Sequence, residues 1–173
     1  MRYFNGFSLQ NEESHFSDFI IESEHCVAGF SYGAQKAFEY VYESKERIDR
    51  LILLSPAFFQ TEKSSFIRTQ LRYFEAGKDA YVKQFLENVS HPSKIDLSNY
   101  LELETQEELN ALLTYVWEPS KIEEVLDRGI TIEVFLGKKD KIINVNEALA
   151  FFTPLSKCYF MKEAGHLLVA SKG

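Results

Sequence analysis

The chain has 173 residues, 45% of them hydrophobic, which is enough for one domain with a sizeable buried core. Its formal net charge of −7 argues against a nucleic-acid partner, because phosphate binding needs a basic surface. The sequence contains no apolar leader and no run of about 20 apolar residues, so we expect a cytoplasmic protein that does not enter a membrane. Cys26 and Cys158 lie in strand-like apolar runs and are predicted to be buried, reduced thiols without a metal or redox role.

The first 60 residues alternate between strand-like and helix-like segments. Arg2–Phe4 predicts a short strand that ends at Asn5-Gly6, and the spacing of apolar residues over Leu9–Ile21 predicts a helix. The next segments are an apolar strand at 25–28, a helix from 34 to about 47 and an apolar strand at 50–54. The last of these is a continuous apolar run, which is typical of a strand covered on both faces.

The middle of the chain has no strand signals. From Thr61 to Asp127 apolar residues recur at helical spacing, which predicts a helical insertion. Ser120 and Glu123 form the pattern of a capping box at the start of its last helix, and Gly129 is a typical residue to end that helix.

Strand and helix signals alternate again in the last part of the chain. They are a strand at 130–136, a helix that begins with the pattern Asn144-x-x-Glu147 and ends before Pro154, and a strand at 158–161. Strands that alternate with helices imply right-handed parallel crossovers. We therefore predict an α/β fold, with a mainly parallel sheet of about five strands and helices on both faces. Its core comprises residues 1–60 and 128–173, and residues 61–127 form an inserted helical lid.

The segment Gly29-Phe30-Ser31-Tyr32-Gly33 joins a predicted strand directly to a predicted helix. This is the G-x-S-x-G form of a nucleophile elbow, in which the serine has a strained backbone and the glycines remove Cβ atoms that would clash. The motif in this context makes hydrolysis the leading hypothesis, with Ser31 as the nucleophile.

Asp140 and His166 each follow a predicted strand, where ligand-facing residues of open α/β sheets gather. Taken alone, each is an ordinary loop residue. Together with Ser31 they predict a triad in which His166 takes the serine proton and Asp140 orients the imidazole. His15, His25 and His91 lack such placement and are assigned no role.

An oxyanion hole needs backbone N–H donors, one of them from the residue after the nucleophile. That residue is Tyr32. The second donor is expected in the loop after the first strand, Asn5-Gly6-Phe7-Ser8, and we assign it to Phe7.

These motifs, in this order, resemble the α/β-hydrolase superfamily across almost the whole chain. Within it, the chain resembles the pimeloyl-acyl-carrier-protein methyl ester esterases of biotin synthesis, the BioV/BioH group, which have this triad and a helical lid. The resemblance implies a truncated fold without the superfamily's first two strands and its fourth. It also implies cleavage of the methyl ester to methanol and pimeloyl-acyl-carrier protein through an acyl-Ser31 intermediate, without a cofactor or metal. Asn5 stands where the superfamily usually has histidine.

The resemblance further implies an acyl-carrier protein as partner, which is strongly acidic and needs a basic docking face. Arg68 and Arg72 are four residues apart and so share one face of a predicted helix, although a solvated lid surface explains them equally well. The lid aromatics expected to line the acyl pocket, or alternatively to form the lid core, are Phe66, Phe74 and Tyr81.

Two other functions remain open at this point. A general short-chain carboxylesterase or thioesterase would share the triad but prefer small, untethered substrates. A non-catalytic binding protein with the same fold is the alternative from another class, since a fold does not determine function.

Overall fold

The computed structural model describes residues 1–171 and is built around a five-stranded sheet. The strands are β1 (Arg2–Phe4), β2 (Cys26–Phe30), β3 (Arg50–Leu54), β4 (Thr131–Gly137) and β5 (Lys157–Met161). They lie in the order β1-β2-β3-β4-β5, and every neighbouring pair is parallel. The predicted parallel sheet of about five strands is confirmed; residues 172 and 173 of the predicted core lie outside the described residues.

Residues 1–171 also contain six α-helices and two 3₁₀ turns. They are α1 (Tyr32–Glu43), α2 (Ser64–Ala76), α3 (Lys78–Ser90), α4 (Gln106–Thr114), α5 (Pro119–Asp127) and α6 (Val145–Phe152), with 3₁₀ turns at Glu12–Phe16 and Ser98–Tyr100. Four of them, α2 to α5, lie between β3 and β4, within the range where a helical insertion is predicted. None of the helices in residues 1–171 has the length and apolar character to span a membrane.

The two faces of the sheet are covered differently. On the first face, Val27, Leu51 and Ile132 are paired in register and pack in one apolar cluster with α1, α5 and α6. On the second face, Ala28 and Ile52 pack against the 3₁₀ turn at 12–16, the end of α3 and the chain near residues 97 and 167. The sheet is therefore buried on both sides, as its continuous apolar strands predict.

One connection between strands has the opposite hand to the others. All connections step in the same direction along the sheet, but those through α1 and α6 cover the first face, whereas the β1–β2 connection covers the second. The prediction of right-handed crossovers throughout is therefore wrong for one connection. The rule rests on a strand that feeds a helix packing back onto the sheet, and the β1–β2 connection contains a single 3₁₀ turn in place of that helix.

The helix predicted over Leu9–Ile21 is wrong in extent. Only Glu12–Phe16 is helical, as a 3₁₀ turn. Asn11, directly before it, adopts the left-handed conformation with φ 58°, so the helix does not extend back to Leu9. The apolar residues still face the sheet, with the ring of Phe16 lying 4.8 Å from that of Phe30. The next helix, α1, also ends at Glu43, earlier than predicted.

The capping box predicted at Ser120 and Glu123 is absent. Pro119 is the first residue of α5 and Glu118 precedes it as N-cap without a side-chain bond, because the fixed φ of proline suits the first helical position. Gly129 follows the end of α5 with φ 81°, which confirms its predicted role as a helix stop.

Two other helices have the side-chain caps that the patterns describe. At α4, Thr105 and Glu108 form a full capping box, which the sequence analysis missed. At α6, the side chain of Asn144 accepts a hydrogen bond from the Glu147 N–H at 3.3 Å, as predicted.

Candidate active site

Ser31 lies in the sharp turn between β2 and α1, with φ 54° and ψ −113°. This left-handed backbone is strained for a residue with a side chain. The turn also needs its two glycines. A Cβ on Gly29 would overlap the backbone of Gly33, and a Cβ on Gly33 would overlap the carbonyls of Phe4 and Asn5. Ser31 thus has the backbone that the elbow motif predicts, and its turn packs directly against the loop after β1.

The three residues singled out by the sequence are hydrogen-bonded to one another. The Ser31 Oγ lies 2.8 Å from His166 Nε2, and His166 Nδ1 lies 2.6 Å from Asp140 Oδ2. Ser31 is 2% exposed and His166 is fully buried. This arrangement has the geometry in which histidine can accept the serine proton while the carboxylate fixes the tautomer.

Asp140 is held by the backbone that follows it. Its Oδ1 accepts hydrogen bonds from the Ile142 N–H at 2.7 Å and the Ile143 N–H at 3.1 Å, which leaves Oδ2 for the histidine. The Lys139 N–H also donates to the carbonyl of Ala164 at 2.9 Å, so the loop after β4 is tied to the loop after β5. These bonds fix the carboxylate before any substrate arrives.

His166 is positioned by contacts from three directions. The ring of Phe30 lies 5.1 Å from its imidazole, and the Ser55 hydroxyl donates to its backbone carbonyl at 2.6 Å. Gly165 allows the preceding peptide to touch the chain at residue 91, because a Cβ there would overlap the His91 carbonyl oxygen. Sequence reasoning missed Ser55, although its place directly after β3 is the same signal that identified the triad.

Comparison with solved structures identifies the fold. The chain is similar to MenH from S. aureus with a TM-score of 0.59 at 16% identity, covering 95% of this chain and 85% of that one. It is also similar to BioG from Haemophilus influenzae, with a TM-score of 0.60 at 12% identity and coverages of 95% and 87%. These neighbours are α/β-hydrolases. The chain has the α/β-hydrolase fold.

A third similar structure is the carboxylesterase CesB (YbfK) from Bacillus subtilis, with a TM-score of 0.57 at 18% identity; the match covers 88% of this chain and 56% of that one. The chain thus spans little more than half of this larger α/β-hydrolase. No protein-family model matches the chain, and no curated protein matches it significantly.

The two residues predicted to supply the oxyanion donors have neighbouring side chains. The rings of Phe7 and Tyr32 have centroids 6.5 Å apart, and Tyr32 is the first residue of α1. Within residues 1–171, neither backbone N–H donates to a backbone carbonyl or a side chain. Both amides are therefore free for a ligand, and their role as oxyanion donors stays a prediction.

Glu12 is a residue near this loop that the sequence analysis did not identify. It is fully buried, and its Oε1 accepts hydrogen bonds from the Gly6 N–H at 2.7 Å and the Tyr3 hydroxyl at 3.1 Å. Burial is the main cause that raises the pKa of its carboxyl group. The 3₁₀ turn carries this carboxyl group to the loop that begins at Asn5.

An apolar cavity of about 590 Å³ lies among α2, α3, α4 and the loop after Asp140. Phe66 and Tyr81 line it together with Ile142 from the aspartate loop, and their contact with an acyl chain stays a prediction. Phe74 is instead packed in the interior, where its ring centroid lies 6.4 Å from that of Phe7. For Phe74 the alternative of lid core is therefore correct.

Arg68 and Arg72 are both exposed on α2, which also contributes Phe66 and Tyr73 to the cavity. Neither guanidinium forms an ion pair with a carboxylate of residues 1–171. Their role in docking stays a prediction. Over the same residues, no three His, Cys, Asp or Glu side chains are grouped so that they could hold a metal ion.

Proposed function

We propose that this chain is a serine carboxylesterase that hydrolyses the methyl ester of pimeloyl-acyl-carrier protein in biotin synthesis. The observation that carries the proposal is the buried chain of hydrogen bonds from Ser31 through His166 to Asp140. Three side chains from segments after different strands meet as nucleophile, base and orienting carboxylate, and this supports a serine hydrolase mechanism.

In the proposed reaction, Ser31 Oγ attacks the ester carbonyl while His166 Nε2 takes its proton. The negative charge that develops on the carbonyl oxygen is stabilised by the N–H groups of Phe7 and Tyr32. The tetrahedral intermediate collapses, and His166 gives its proton to the departing methoxide, which leaves as methanol. Water, activated by His166, then attacks the acyl-Ser31 ester and releases the free carboxylic acid, regenerating the serine.

The cavity supports an acyl substrate. Its volume of about 590 Å³ falls within the range of about 300–1,000 Å³ usual for small-molecule sites, and its lining is largely apolar. Its lining residue Ile142 also donates its N–H to Asp140, so the chamber adjoins the triad. The choice of a pimeloyl chain rests on the resemblance to the BioV/BioH group, and the shared fold with BioG, a BioH-group relative, is consistent with it.

The acidic carrier protein is proposed to dock on the α2 face that presents Arg68 and Arg72. Both guanidinium groups are exposed and unpaired within the described residues, so they are available to a negatively charged partner. The double reversal Arg68→Glu with Arg72→Glu should raise KM for a carrier-bound ester and leave a small soluble ester unaffected. The matched control reverses Lys45 and Lys157, which are exposed near the amino-terminal ends of β3 and β5, whereas the triad lies at the carboxyl ends of the strands. Equal loss on both substrates would contradict the docking role.

The deciding experiment measures hydrolysis of pimeloyl-acyl-carrier-protein methyl ester beside a short p-nitrophenyl ester, with wild type and Ser31→Ala. Fast turnover of the carrier-bound ester that falls by several orders of magnitude in the variant would support the proposal. Turnover of the small ester alone would favour a general short-chain carboxylesterase. A folded wild-type protein that turns over neither ester and is not labelled by a fluorophosphonate at Ser31 would favour a non-catalytic binding protein. A cytoplasmic location stays a prediction.

A further inference from the structure

The carboxyl group of Glu12 is buried and forms no ion pair with a cation of residues 1–171. Glu12 is fully buried, and its carboxyl group contacts the Tyr3 hydroxyl and the backbone of Gly6, which lies against the ring of Phe30. Its Oε2 is buried and has no hydrogen-bond partner within residues 1–171. Burying a carboxyl group is costly unless it is hydrogen-bonded, so packing alone does not account for a glutamate here.

Both hydrogen bonds that Glu12 accepts come from residues near the start of the chain. Its Oε1 accepts from the Gly6 N–H at 2.7 Å and from the Tyr3 hydroxyl at 3.1 Å. Tyr3 belongs to β1, so it ties the carboxyl group to the sheet, whereas Gly6 belongs to the loop. The glutamate therefore bridges a rigid strand and the loop that follows it.

The backbone of Gly6 determines the direction of the next N–H, that of Phe7, which lies in the same peptide unit as the Gly6 carbonyl. Gly6 lies against the ring of Phe30, which a Cβ at that position would meet at 2.7 Å, so the peptide has little room to move. With its N–H bonded to Glu12 and its carbonyl accepting from the Leu9 N–H at 3.2 Å, the loop over residues 6–9 is fixed at both ends. The N–H of Phe7 follows directly in this turn.

We propose that Glu12 is a positioning residue that holds the Gly6 peptide and thereby aims the Phe7 N–H at the oxyanion of the reacting ester. This inference rests on the proposed function and adds to it a residue that touches no substrate. Glu12 supports this loop through its bond to the Gly6 N–H.

The test compares three substitutions at Glu12 with one at its partner. Glu12→Gln keeps a carbonyl oxygen that can accept from both donors, so kcat for a soluble p-nitrophenyl ester should stay within about threefold of wild type. Glu12→Leu removes the acceptor. Loss of an oxyanion donor costs about 10²–10³ in kcat, and a misaimed donor should cost less, about 10- to 100-fold, with little change in KM. Tyr3→Phe is the matched control, because it removes a bond to Glu12 but leaves the bond to Gly6 intact.

If the role of Glu12 were purely structural, its substitution would lower thermal stability without a selective loss of kcat. A trifluoromethyl ketone that forms a tetrahedral adduct with Ser31 supplies the separating readout, since it uses the oxyanion hole as the transition state does. For Glu12→Leu its Ki should rise by the same factor by which kcat/KM falls, while KM for the substrate barely changes. If Glu12→Leu fails to fold, Glu12→Asp takes its place, because its shorter side chain cannot reach the Gly6 N–H.

Hydrogen exchange of a peptide covering residues 5–9, measured by mass spectrometry, tests whether Glu12 restrains the loop and does not depend on catalytic activity. Exchange should quicken at least about tenfold in Glu12→Leu or Glu12→Asp and stay slow in Glu12→Gln, because the Gly6 N–H loses its acceptor only in the first two. Unchanged exchange and unchanged kcat would overturn the inference while leaving the esterase proposal intact. If exchange is faster in the variants but the wild type hydrolyses no ester, the proposed function is refuted. Glu12 would then still restrain the loop, but its catalytic role would be overturned.

Discussion

Replacing Asp140 by asparagine tests whether the histidine tautomer controls turnover. In the native site, Oδ1 accepts two backbone N–H groups, from Ile142 and Ile143, and Oδ2 faces His166 Nδ1. The asparagine oxygen can keep both backbone bonds only if its NH₂ group turns toward the imidazole. That group is a donor, so Nδ1 must become the acceptor and the proton must move to Nε2, which can then no longer accept the proton of Ser31.

The expected loss is large because the altered tautomer removes the only group in the triad that can accept the serine proton, His166 Nε2. In the serine-protease type case the same substitution preserves the geometry and lowers kcat about 10⁴-fold, and the shared tautomer argument predicts a similar factor here. That factor corresponds to about 5.4 kcal/mol in the activation barrier, at about 1.36 kcal/mol for each tenfold change. Stability should change much less, since both backbone donors keep an acceptor.

The assay measures kcat for a p-nitrophenyl ester together with the unfolding temperature. Glu163→Gln is the control, because this exposed carboxylate pairs with Lys139 in the same loop region but does not contact the triad. We expect it to retain full activity. A folded Asp140→Asn variant with more than about a tenth of wild-type kcat would refute the tautomer argument, since that argument predicts a loss near 10⁴-fold.

Two further substitutions test close packing and titration. Gly165→Ala would drive a Cβ into the carbonyl of His91, so we expect about 1–3 kcal/mol of lost stability by chemical denaturation together with slower turnover. Gly77→Ala, whose Cβ would have one side-chain neighbour at 3.9 Å, should be tolerated, and equal effects of the two would contradict the packing argument. Burial and then a hydrogen bond to Glu108 raise the pKa of Glu104 to about 7. A carboxyl group with a raised pKa in the folded state favours folding at low pH, and this contribution is lost as the pH rises through the folded pKa. Glu104→Gln should therefore reduce the fall in unfolding temperature between about pH 4.5 and 7. An unchanged fall would show that Glu104 does not cause it.

The sequence predicted the parts of the site whose signals are local. An apolar strand that runs directly into a glycine-flanked serine requires a tight turn, and this requirement can be read from a few adjacent residues around Ser31. Asp140 and His166 follow from the same reasoning, because the ends of parallel strands meet at one edge of the sheet. β3 was predictable because its apolar run is continuous.

The features that the sequence did not predict depend on contacts between distant segments. Nothing near Glu12 in the chain distinguishes it from Glu13, which is exposed, because burial and the bond to Gly6 arise only when the 3₁₀ turn packs on the sheet. The opposite hand of the β1–β2 connection likewise depends on which face Leu9 and Phe16 cover. Local competition explains the remaining error, since proline at the start of α5 outweighs the capping pattern that begins at Ser120.

The strand order has a consequence for how the molecule folds. Every strand pairs with its neighbours in sequence, so most of the sheet can assemble through short loop closures, but joining β3 to β4 closes a loop of about 75 residues at a greater entropic cost. Ser31 precedes this long connection in the chain, while Asp140 and His166 follow it. Recovery of esterase activity during refolding would therefore require the pairing of β3 with β4, which closes the longest connection between neighbouring strands.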